Sequence, residues 1–137
     1  MLDSFYKDES HKEVRQELFN HEAEEIAKSF SDDKVGVTST QLRRLFDEVK
    51  RFERLLDGTE KTWNEQKPYI KMINSKVRYT VARAKRKDDL KTYYENLQKF
   101  ISDGLKLVDT EQDYHIFTSL FEAVYGFYYE RRPDKNN

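Results

Sequence analysis

From Thr38 to Gly58 the apolar side chains Leu42, Leu45, Phe46, Val49, Phe52 and Leu56 recur every three or four residues. This spacing lines them along one side of an α-helix but scatters them over both faces of a strand. A helix with such a stripe must bury it against other stripes, and similar spacing returns in four further stretches. With only four glycines and two prolines in 137 residues, the chain has few places to break. No stretch alternates apolar and polar residues long enough to build a sheet. The pattern predicts an all-α fold, a single helical bundle of about five helices with short connections.

The first predicted helix opens at the capping-box pattern Ser10-x-x-Glu13, runs through Val14, Leu18, Ile26, Ala27 and Phe30, and ends at Ser31. Thr38 and Gln41 cap the second, which Gly58 ends as a left-handed stop. Thr59 caps a short turn carrying Trp63, and Pro68 takes the first position of a third helix to about Lys87, with Ile70, Ile73, Val77, Val81 and Ala84 inward. Asp88 and Asp89 start the fourth, striped by Leu90, Tyr93, Leu97, Phe100, Ile101 and Val108. Thr110 caps the fifth, striped by Tyr114, Phe117, Leu120, Phe121, Val124, Tyr125 and Tyr128. Residues 1–37 are thus expected to be an acidic N-terminal helix and linker, 38–130 the bundle core, and 131–137 a frayed tail of one domain. Hydrophobic residues make up only 36%, so nine Phe, nine Tyr and one Trp must supply much of the core.

The absence of cysteine excludes a disulfide framework, thiolate metal sites and a cysteine nucleophile, and fits a cytoplasmic protein. The first residues carry no basic start followed by an apolar run, and no apolar run is long enough to span a bilayer, so no membrane association is expected. His11, His21 and His115 lack ligand spacing. The carboxylate pairs Glu24/Glu25, Asp32/Asp33 and Asp88/Asp89 are adjacent in sequence and diverge around a helix or cap it. With no glycine-rich phosphate loop and no G-x-S-x-G, the reading is of a non-enzyme with no catalytic residues, metal or cofactor.

Charge is the informative feature. The chain is formally −1 overall, yet between Lys67 and Lys91 nine bases face two acids, while residues 1–33 hold ten acids and four bases. On the third helix Lys71, Arg78 and Lys85 fall along one flank, Lys76, Arg83 and Lys87 along the other, with Arg86 and Tyr79 near the outer ridge. Together with Lys67 these cations suit a phosphate backbone, because each neutralised phosphate releases condensed counterions. An acidic protein surface is the competing ligand. Tyr79 is placed to stack a base. In the fifth helix Tyr125, Tyr128 and Tyr129 put aromatics on more than one side. Either that helix is buried nearly all round, or it leaves a patch for another subunit; the charged tail that follows favours the patch.

Four motifs carry a resemblance: TQLRRLFDEVKRF (Thr40 to Phe52), Trp63 with Lys67-Pro68, KVRYTVAR (Lys76 to Arg83), and the closing run from Phe117 to Tyr125. In order and spacing they resemble the small all-helical subunit of type III-A CRISPR effector complexes, the Csm small-subunit family. The resemblance implies a non-catalytic subunit, present in several copies, that lies along guide RNA and target RNA and packs against other subunits and further copies of itself. It makes Lys76, Arg78 and Arg83 the leading RNA contacts, with Lys67, Lys71, Lys85, Arg86 and Lys87 in support and Arg43 and Arg44 as weaker candidates. It leaves open a homodimer of the isolated chain. The alternative function is a helical adaptor working through its aromatic C-terminal face without RNA.

Overall fold

In a computed structural model the chain is described over residues 2–58, 62–84 and 88–135. A π-helical turn, Leu18–Glu22, runs into α1 (Ala23–Lys28), followed by α2 (Ser39–Asp57), α3 (Trp63–Lys71), α4 (Ile73–Ala84), α5 (Asp88–Leu107) and α6 (Glu111–Tyr129). Among the described residues there is no strand, only isolated bridges Tyr6–Val14 and Ser31–Gly36, as the all-α reading requires. No helix among them is long and apolar enough to cross a membrane.

α6 is the hub, with α1 and the π-turn, α2 and α5 packed around it; α4 lies against both α2 and α5, and α3 against α2. Tyr114, Phe117, Leu120, Phe121, Val124 and Tyr128 of α6 are fully buried, while Gln112, Ser119, Glu122 and Tyr129 leave one exposed stripe along the helix. Phe117 meets Phe100, Tyr114 and Phe121 with ring centroids 5.8 to 6.4 Å apart. A Cβ at Gly104 would stand 2.3 Å from that ring, so α5 approaches α6 more closely than any other residue there permits.

Several predicted boundaries move. The Ser10 to Glu13 pattern caps no helix: Ser10 bonds Asp8, the Glu13 carbonyl accepts from Lys7 N at 2.8 Å, and His11 sits at φ 56 in the turn between. The resulting N-terminal loop buries Leu2, Phe5 and Tyr6, and Tyr6 donates to Asp113 Oδ1 at 2.5 Å. Gly58 has φ −76 and is not left-handed. α3 is capped by Thr62 in a capping box with Glu65; the predicted cap Thr59 lies outside the described residues. Pro68 stands inside α3, where it cannot donate to the Asn64 carbonyl. The helical path breaks one turn later at Met72, dividing the predicted third helix. In α5 the buried tyrosine is Tyr94, while Tyr93 stays half-buried and donates to Asp32 Oδ2 at 3.2 Å. Thr38 and Thr110 cap α2 and α6 as expected.

Arg131–Lys135 lie against the bundle. Ser31 Oγ donates to the Arg131 carbonyl at 2.9 Å, Asp134 Oδ2 accepts from Ser39 Oγ at 2.7 Å, and Lys135 pairs with Asp33 at 2.8 Å.

At the junction of α2 and α6, His115 faces Glu53 at 2.9 Å and Asp57 and Glu111 at 3.6 Å, with Lys50 on the far side of Glu53. Burial opposes its protonation, but the hydrogen bond it donates to Glu53 and the charges around it outweigh burial and raise the His115 pKa above its ordinary 6.5. A group raised on folding stabilises fully below its unfolded pKa, and that contribution disappears as pH rises through the folded value. Urea titrations between about pH 5 and pH 8 should show stability falling with rising pH from this group. In His115→Gln that part of the slope should vanish; an unchanged profile would mean that His115 does not carry it.

Candidate nucleic-acid interface

α4 exists because Ile73, Val77 and Val81 recur at helical spacing and are buried, which turns the residues between them outward. Beside it α2 buries Leu42, Leu45 and Val49, turning Gln41, Arg44 and Glu48 toward α4. Between the two lies a groove of about 720 Å³ lined by Arg44, Leu45, Lys76, Tyr79 and Arg83, with Gln41, Glu48, Ser75 and Thr80.

The predicted cations are not equivalent. Lys67 pairs with Asp109 at 2.9 Å and lies 5.9 Å from the Trp63 ring, while Trp63 Nε1 donates to the Asp109 carbonyl at 3.2 Å. One turn on, Lys71 donates to the carbonyls of Leu105 and Val108 at the end of α5, where a cation complements the helix dipole. Burial lowers the Lys71 pKa. These two lysines staple α3 to the α5–α6 junction and stand apart from the groove.

Lys76 lines the groove but is ion-paired to Glu48 at 2.6 Å, and Glu48 also pairs with Arg51 at 2.7 Å. Burial pushes the Glu48 pKa up, but the hydrogen bonds from Lys76 and Arg51 prevail and hold it below the ordinary carboxylate value. Arg43 pairs with Asp47 at 2.9 Å. Arg44, Arg78 and Arg83 have no carboxylate partner among the described residues; Arg83 Nη1 donates to Tyr79 Oη at 3.2 Å. Arg78 is exposed but does not line the groove. Lys85, Arg86 and Lys87 lie outside the described residues.

Lys76 and Arg83 are thus brought together with Tyr79 and with Arg44. Glu48, the residue that occupies Lys76, was not singled out from sequence. Its place on α2 is readable from periodicity, but nothing local says that α4 packs beside it.

The aromatic C-terminal face is reduced. Tyr128 is 0% exposed, donating to the Val37 carbonyl at 2.5 Å, so a surface there consists of Tyr129, 49% exposed, and half-buried Tyr125, which stacks on Phe46 and Tyr129. Among the described residues, no group of three or more histidine and carboxylate side chains is placed to hold a metal ion.

No curated protein and no solved structure matches the chain. A family model does, that of Csm2 Type III-A, over residues 13–131. The matched span contains α1 to α6 and the groove and leaves out the N-terminal loop to Lys12. With that match over most of its length, and with the all-helical bundle the family resemblance called for, the chain belongs to the Csm2 family, the small subunit of type III-A CRISPR complexes.

Proposed function

We propose that this subunit binds guide and target RNA along the backbone, through Arg44 and Arg83 in the groove between α2 and α4 and through Arg78 outside that groove on α4, and leaves the chemistry of the complex to its partners. The observation that carries the reading is that these three guanidinium groups stand exposed on helices with no carboxylate partner among the described residues. A guanidinium grips phosphate through two parallel hydrogen bonds, and such contacts position a strand without reading its bases. Sequence choice then falls to pairing with the guide. Lys76 contributes less, because phosphate must compete with Glu48 for it. Lys85, Arg86 and Lys87 extend the same cationic tract in sequence.

Other subunits, further copies of this chain among them, are proposed to pack on surfaces away from the groove, Tyr125 and Tyr129 included. Repeating a weak site along one strand raises the effective concentration of each successive contact, so an array binds tightly where one copy does not. The adaptor alternative loses Tyr128, which the bundle has already consumed.

The test is the triple variant Arg44→Ala, Arg78→Ala, Arg83→Ala. Its affinity should drop to a similar degree for RNAs of unrelated sequence, and the slope of log K against log salt should shrink by about 0.7 to 0.9 for each phosphate no longer neutralised. Far-UV circular dichroism should not change, since all three side chains are exposed. Undiminished binding would refute the assignment.

A further inference from the structure

Among the described residues, Tyr79 is the most exposed large hydrophobic side chain, 63% accessible, in a chain that buries Tyr6, Tyr94, Tyr114 and Tyr128. The ring is nonetheless held. Arg83 donates to its hydroxyl, and the guanidinium carbon lies 5.6 Å from the ring centre, so one cation steadies the ring while much of its surface stays open. A phosphate can accept from the Tyr79 hydroxyl, but it gains nothing from an open ring face. A ring that shares its groove with two arginines lacking a carboxylate partner among the described residues is the arrangement that suits an unpaired base and its adjoining phosphates.

The other polar groups of the groove are largely spent within the protein. Gln41 Oε1 accepts from the Tyr94 and Thr38 hydroxyls, Glu48 holds Lys76 and Arg51, and the Thr80 hydroxyl donates to the Lys76 carbonyl. With so few groups aimed at a base edge, the groove offers a stacking face in place of a hydrogen-bonding code.

We propose that the α2–α4 groove receives an unpaired nucleotide of an RNA strand, with its base stacked on Tyr79 and its phosphates on Arg44 and Arg83, and with little preference among bases. The inference rests on the RNA-binding reading and narrows its ligand from any phosphate backbone to a strand with a free base. A base within a continuous duplex is covered on both faces by its neighbours and cannot cover Tyr79.

The experiment uses the full chain, fluorescence anisotropy at low salt, and three RNAs. These are a short single strand of mixed sequence, the same strand with its central bases removed, and the duplex formed with its complement. Tyr79→Ala should weaken single-strand binding roughly 5- to 150-fold, the range that one lost stacked base corresponds to. Tyr79→Phe should bind as wild type does. The abasic strand should bind wild type weakly and be indifferent to Tyr79→Ala. If Tyr79→Ala binds the intact strand undiminished, or if Tyr79→Phe loses as much as Tyr79→Ala, the stacking inference is overturned. Should the triple arginine variant lose binding in that same series, the RNA reading stands without it. Failure of wild type to bind any of the three RNAs overturns both.

Discussion

Phe117→Ala is expected to lower the unfolding free energy by about 3 to 5 kcal/mol. The ring is fully buried at the centre of the hub helix, bounded by Phe100, Tyr114 and Phe121, and its fourth side is Gly104. Bulky rings cannot fold into the hole without leaving their own neighbours, and a glycine has no side chain to lend. The cavity therefore persists, which puts the cost at the upper part of the range for such truncations. Because a domain of this size holds about 5 to 15 kcal/mol in total, the variant should be partly unfolded under mild conditions. Urea titration followed by circular dichroism measures this directly. A loss below about 1 kcal/mol would mean that α5 and α6 do not interlock at this point.

Gly36→Ala is expected to cost roughly 2 to 5 kcal/mol from two causes that add, backbone strain and overpacking. Gly36 has φ +146, a conformation side chains rarely adopt, and a Cβ there would lie 2.3 Å from Ser31 Cβ and 2.6 Å from the Phe30 carbonyl oxygen. The turn it closes is shaped by Asp32, whose carboxylate accepts from Lys34 N at 2.7 Å and Val35 N at 2.8 Å. That turn delivers Val37, buried, with its N–H on the Phe30 carbonyl at 2.9 Å and its own carbonyl receiving Tyr128. Loosening it disconnects the end of α1 from the start of α2 and from the C-terminal segment. Thermal melting should show the loss, and amide exchange should localise it to Val37 and its neighbours. Lys34→Ala, at an exposed position in the same turn, serves as the control and should be close to neutral. Equal melting of the two variants would rule out the strained turn.

The candidate site was half legible. Lys76, Tyr79 and Arg83 recur on one side of α4, and their outward orientation follows from the inward stripe of Ile73, Val77 and Val81. Lys67 and Lys71 have the same residue type and a similar local setting, yet they serve the scaffold. Their partners are Asp109 and the carbonyls at the end of α5, groups far along the chain that no local pattern brings near. The same holds for Tyr128 against Tyr129: adjacent residues of one type, one spent on the Val37 carbonyl and the other left at the surface.

By itself the sequence determined that this chain is helical, where most stripes lie, and that its positive charge is gathered on one segment, because periodicity and charge are properties of a chain read residue by residue. The tertiary structure alone decided which cations remain free. A lysine's availability depends on whether folding carries a carboxylate or a helix end within reach of its ammonium group, and that is fixed by how helices pack.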